Sequence, residues 1–207
     1  MPNPMPLRLV KVNSVAIGTF NMYIVRPAWL VKEGIIPEGT SLKLDIGLDE
    51  ATTRISVQEP RTQWLVTPSR LMIESDNARE NCGKILWEVL SRLPHTPLRA
   101  LGSNFIFEAD ASILAKRDAF ASFRMLALPR GCRHISNSFR VSLERKSYVF
   151  NLDVIQQGEK VTLTANAHAD LTEGGIKRAE EAALSFEEQR SISRRLIDRL
   201  LGSGGRK

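Results

Sequence analysis

"RLPHTPLRALGSNFIFEAD", residues 92–110, leaves an apolar-faced helix, passes two prolines and enters a Phe-Ile-Phe strand. A proline biases the residue before it away from helical geometry, so Leu93 and Thr96 are pushed toward extended backbone. The stretch reads as a hinge that turns a helix into a strand in few residues. His95 is then expected to hydrogen-bond locally or to face solvent rather than to work as a catalyst. Upstream, Cys82, Ile85, Leu86, Val89 and Leu90 recur at helical spacing, with Asn77 and Glu80 at capping-box spacing. Downstream, Leu101, Phe105 and Phe107 form the apolar side of a strand over 98–109, with Gly102 as a candidate bulge.

Working outward, each side of the hinge shows the same order of elements. The first half (7–93) reads as strand 7–20, helix 27–33, strands 41–47, 53–58, 62–67 and 70–75, then helix 78–92. Pro27 suits the start of its helix and Gly34 the end. Gly18 is a second candidate bulge. The second half (98–201) reads as strand 98–109, helix 111–121, strands 138–146, 148–157 and 160–170, a helix over 176–183 and another over 185–201. Ser185 and Glu188 offer a second capping box, and Ile192, Leu196, Ile197, Leu200 and Leu201 an apolar stripe. Residues 1–6 are expected to be disordered and 202–207 to be a flexible tail, with 93–97 the hinge within one composite domain.

The hairpin 148–170 fixes its own register. Gly158 at the first turn position suits a two-residue type II′ turn. Pairing outward sets Phe150 against Ala167, Leu152 against Ala165 and Val154 against Leu163 on one face. The other face pairs Val149 with His168, Asn151 with Asn166, Asp153 with Thr164, and Ile155 with Thr162. A slip of one residue would destroy this sorting of apolar from polar.

The fold class is therefore α+β: a mainly antiparallel sheet packed by helices, in pseudo-duplicated strand–helix–strands–helix units. The competing reading is one larger sheet without internal symmetry. The doubled order resembles that of saddle-shaped proteins with the TATA-box-binding fold. The resemblance lies in element order alone and spans most of the chain. It implies a concave sheet face that grips a duplex.

Composition excludes several classes. The 207 residues are 43% hydrophobic and 25% charged, as in ordinary soluble domains. No apolar run is long enough to span a membrane, and the proline-rich start has no apolar signal segment. Cys82 lies on a helix face and Cys132 in a polar loop, which makes neither a disulfide framework nor a cysteine zinc site. No nucleotide-loop, zincin or nucleophile-elbow motif occurs, so no cofactor or metal is expected. A cytoplasmic location is the simplest expectation.

The net charge of +6 is localised. Residues 116–146 hold eight basic side chains, Lys116, Arg117, Arg124, Arg130, Arg133, Arg140, Arg145 and Lys146, against two acidic ones, Asp118 and Glu144. Elsewhere 21 basic and 21 acidic residues balance. Clustered arginines suit phosphate oxygens. The polar sheet face formed by Asn151, Asn166, Thr162, Thr164 and His168 adds hydrogen-bonding groups. The expected function is a non-catalytic module contacting nucleic-acid phosphates, DNA or RNA, through the basic loop and its flanks. The alternative is a protein-interaction or assembly subunit, self-associating as a homodimer or meeting an acidic protein partner. A third reading is an enzyme built on His168 with Asp153 or Asp170.

Overall fold

The protein, represented by a computed structural model, is described over residues 6–47, 51–59, 61–114 and 136–201. The described residues form an α+β structure with one large antiparallel sheet and four helices. The strands are β1 (Arg8–Gly18), β2 (Leu42–Gly47), β3 (Thr52–Val57), β4 (Thr62–Thr67), β5 (Arg70–Ser75), β6 (Leu98–Asp110), β7 (Ser136–Arg145), β8 (Tyr148–Gln157) and β9 (Lys160–Asp170). The helices are α1 (Pro27–Lys32), α2 (Cys82–Leu90), α3 (Gly175–Leu184) and α4 (Phe186–Leu200). In space the strands run β2-β3-β4-β5-β1-β6-β9-β8-β7. The central pair, β1 and β6, therefore joins the two ends of the first 110 residues.

Alternation in the sequence becomes a two-sided sheet. Val12, Ser14 and Ala16 of β1, Leu101, Ser103, Phe105 and Phe107 of β6, and Val161, Leu163, Ala165, Ala167 and Ala169 of β9 are buried on one side. The helices cover that side, with α2 on β1 and β5, α3 on β6, and α4 on β9 and β6. Leu30 of α1 joins the same core. Phe186, the first residue of α4, meets Phe105 with ring centroids 5.0 Å apart. The approach of α2 is close enough to require glycine. A Cβ on Gly83 would strike the carbonyl of Ala183 and lie 2.6 Å from Cβ of Phe186.

The hairpin register is the expected one, from Val149↔His168 through Ile155↔Thr162. Gly158 takes φ +58 at its turn. Between α2 and β6 the chain turns, with Thr96 N–H donating to Leu93 C=O at 3.0 Å and His95 exposed. The irregularity expected at Gly18 is present, between Ile17 and Gly18.

Other expectations are corrected. Gly102 is no bulge, because β6 keeps register through Val15↔Gly102 and Gly102↔His168. The cap of α2 is Asn81, whose side chain accepts from Lys84 N–H at 2.9 Å. Asn77 instead accepts from Arg79 N–H two residues on, a local turn that the same asparagine suits equally well. Ser185 precedes α4 but makes no cap bond. Its hydroxyl pairs with Tyr148 Oη at 2.8 Å and accepts from Gln189 Nε2 at 2.8 Å. Of the helix expected over 111–121, Ala111–Ile113 is a 3-10 turn and 115–121 lies outside the described residues. So do residues 1–5, the tail 202–207 and Cys132.

Candidate docking face on the open side of the sheet

The side of the sheet away from the helices carries a continuous polar row at its centre. Asn13 of β1 stands opposite Asn104 of β6, Asn104 opposite Asn166 of β9, Asn166 opposite Asn151 of β8, and Asn151 opposite Ser142 of β7. Their side chains bond head to tail. Ser142 Oγ donates to Asn151 Oδ1 (2.7 Å), and Asn151 Nδ2 donates to Asn166 Oδ1 (3.3 Å). Asn166 Nδ2 donates to Asn104 Oδ1 (2.8 Å), and Asn104 Nδ2 donates to Asn13 Oδ1 (2.6 Å). The row spans five strands, and every bond runs in the same direction, so the dipoles reinforce one another. Asn104, Asn151 and Asn166, each half-buried, keep a second amide N–H outside the row, whereas Asn13 is buried. The row continues in register through Glu74, Gln63, Ser56 and Lys43 to the far edge.

Beside the row lies a shallow depression of about 330 Å³, floored by Val15, Ile17, Met72, Ala100 and Gly102 and rimmed by Arg70 and His168. Gly102 keeps it open, since a Cβ there would come 3.2 Å from Asn166 Nδ2.

Charge on this face is largely cancelled locally. Lys11 Nζ meets Glu74 at 2.8 Å, and Lys43 Nζ meets Asp45 at 3.2 Å. Arg140 clasps Asp153 with Nε and Nη2, a two-point fork that raises the guanidinium pKa. The hydrogen bond from Lys11 to Glu74 likewise raises the lysine pKa. Arg54 and Arg70 form no ion pair among the described residues.

The expected site residues separate under this geometry. Lys116, Arg117, Arg124, Arg130 and Arg133 lie outside the described residues. Arg140 sits on the open face, already engaged by Asp153. Arg145 and Lys146 border a crevice with Tyr148, Ser185, Glu188 and Gln189 on the helix side, where Lys146 Nζ is 3.9 Å from Glu188. These three described members of the basic cluster therefore do not converge. Asn151, Asn166, Thr162, Thr164 and His168 lie on one side of the sheet. His168 and Asp170 lie two residues apart on β9, and Asp153 faces Thr164, four residues from His168. Asp153 is held by Arg140, and Asp170 accepts from Thr172 N–H and Oγ1 at 2.8 and 2.7 Å, which lowers its pKa. No cluster of three metal-ligating side chains occurs among the described residues.

Sequence reasoning missed Asn13, Asn104 and Ser142. The available signal was parity: in "KVNSVAI" and "GSNFIF" each asparagine falls between buried neighbours, on the side opposite the apolar set.

No family model matches the chain, and no curated protein matches it. Among solved structures it is similar to the Methanococcus jannaschii TBP, at 14% identity and a TM-score of 0.33, over 89% of this chain and 98% of that one. At that score the similarity assigns neither fold nor function. Among the described residues no helix is long and apolar enough to cross a membrane.

Proposed function

We propose that the chain is a non-catalytic nucleic-acid-binding module that docks a duplex on the open sheet face, with Asn13 and Asn104 at its centre. The observation that carries this reading is the paired placement of those two amides. The architecture is read as a pseudo-duplication about an axis between β1 and β6. On that axis Asn13 faces Asn104, 91 residues away. The triplets Asn13-Ser14-Val15 and Asn104-Phe105-Ile106 then exchange, with the pair Val15↔Gly102 mirrored by Lys11↔Ile106. β5 beyond β1 corresponds to β9 beyond β6, and β4 to β8.

A duplex is itself two-fold about each base pair or step. Its minor groove offers a nearly symmetric row of acceptors, which suits amide N–H donors flanked by Val15 and Ile106. Phosphate contacts would come from Arg54 and Arg70 on this face, and the basic residues of 116–135 add to them.

Because most charge on the face is cancelled by its own ion pairs, the sheet contributes a shallow salt dependence and the basic segment a steep one. The test is a set of binding isotherms on duplex DNA and duplex RNA at several salt concentrations. Asn104→Ala is expected to weaken binding ~10-fold or more at every salt concentration. Arg130→Ala with Arg133→Ala is expected to flatten the salt slope. Undiminished duplex binding by Asn104→Ala excludes the face as the contact. The same charge cancellation favours a second reading, a protein partner docked on this face. Loss of partner capture in Asn104→Ala, with no duplex binding by the wild type, selects it.

A further inference from the structure

The edge of the sheet farthest from the amide row carries a separate self-recognition signal. β2 ends the strand order, so one side of it has no partner strand among the described residues. Its sequence, "LKLDIG", places Leu42, Leu44 and Ile46 on the helix side and Lys43 and Asp45 on the open side. Leu44 is 44% exposed and Ile46 59% exposed, and both border an apolar groove of about 630 Å³ with Phe20, Met22 and Tyr23. An uncapped strand edge with exposed apolar side chains is a template for further pairing.

The backbone determines which residues can pair outward. Gln58 N–H donates to Ser41 C=O, so Ser41 and, by alternation, Lys43 and Asp45 direct their peptide groups to β3. Leu42, Leu44 and Ile46 therefore direct theirs outward. We infer that β2 pairs antiparallel with β2 of a second copy of this chain, about a two-fold axis at Leu44, to make one continuous sheet across the dimer.

Charge selects that register. With Leu44 facing Leu44 of the second copy, Leu42 faces Ile46 and Lys43 faces Asp45 in both directions. Cross-strand pairs of opposite charge are favourable and like charges directly opposed are not. A shift of one residue in either direction, keeping the two-fold, sets Lys43 against Lys43 or Asp45 against Asp45. In the isolated chain Lys43 Nζ lies 3.2 Å from its own Asp45, so both groups already stand together on that edge. The inference is independent of the sheet-face proposal, because it uses the edge strand and none of the asparagines.

Sedimentation equilibrium and light scattering on the full chain test it. The wild type is expected to be a dimer at micromolar concentration. K43D and D45K each create two like-charge pairs and are expected to weaken dimerisation ~10-fold or more, while K43D/D45K restores it. In a Cys132→Ser background, L44C is expected to cross-link to itself under mild oxidation, since hydrogen-bonded antiparallel partners sit ~5.5 Å apart at Cα, within disulfide range. K43C, which faces Asp45 and not itself, is expected to cross-link poorly. A wild-type monomer at high micromolar concentration overturns the inference. So does a dimer indifferent to both charge reversals, or one in which K43C cross-links better than L44C.

Discussion

Replacing Asn104 by alanine breaks the last two bonds of the amide row. The substitution removes two side-chain hydrogen bonds, one to Asn13 at 2.6 Å and one from Asn166 at 2.8 Å. Asn13 is 7% exposed, so its Oδ1 is left with little access to water, whereas Asn166 is half-buried and recovers part of the loss. A net hydrogen bond contributes about 1 kcal/mol, and a buried group left unpaired costs about 1–3 kcal/mol. The sum expected for Asn104→Ala is about 2–4 kcal/mol. For a chain of this size each kcal/mol moves Tm by roughly 2–4 °C, so a fall of about 4–16 °C is expected. Ser142→Ala, at the exposed end of the row, removes one bond in water and is expected to cost under ~0.5 kcal/mol. Urea unfolding monitored by circular dichroism measures both. A double-mutant cycle of Asn104→Ala with Asn151→Ala tests whether the row acts as a unit. These two side chains do not bond each other and are linked through Asn166, so coupling above ~0.5 kcal/mol reports transmission along the row. If Asn104→Ala costs no more than Ser142→Ala, the row contributes nothing to the fold and the reasoning fails.

Gly83→Ala gains helix propensity yet drives a methyl into Ala183 and Phe186, so a net loss of about 1–3 kcal/mol is expected in thermal unfolding. Ser103 Oγ is buried without a hydrogen-bond partner among the described residues, so Ser103→Ala is expected to be neutral or stabilising by up to ~1 kcal/mol, read from urea midpoints. Burial pushes the Cys82 thiol up to about 12 from an ordinary value of 9.0, so a disulfide reagent is expected to modify it only at the rate at which the native state opens. The sign of the accompanying pH effect follows from the unfolded thiol ionising first. The contribution of Cys82 to stability is intact below pH 9 and declines as pH rises from there toward 12, so the urea-midpoint gap between wild type and Cys82→Ala narrows in alkaline buffer.

The parts of the fold legible in the sequence were those where one physical signal acted alone. In 148–170 strict alternation and a turn glycine leave a single sorting register, and the strands pair that way. At 92–97 two prolines leave no helical alternative. Helix starts were less legible, because Asn77 and Asn81 offer the same chemistry four residues apart and tertiary packing chooses between them. The centre of the open face was missed because Asn13 and Asn104 are single polar residues in strands dominated by their apolar sets. Their significance comes from the pairing of β1 with β6, which no local pattern encodes. The basic cluster appeared to be one surface along the chain, yet strand parity sends Arg140 to one side of the sheet and Arg145 to the other.

The position of β1 between β5 and β6 has a consequence for how the chain is made. A ribosome adds ~5–20 residues per second, so the strand over 8–18 waits several seconds to some twenty seconds for its partner at 98–110 to be synthesised. Throughout that interval the nascent first half presents an unzipped margin bearing Val12, Asn13 and Ser14.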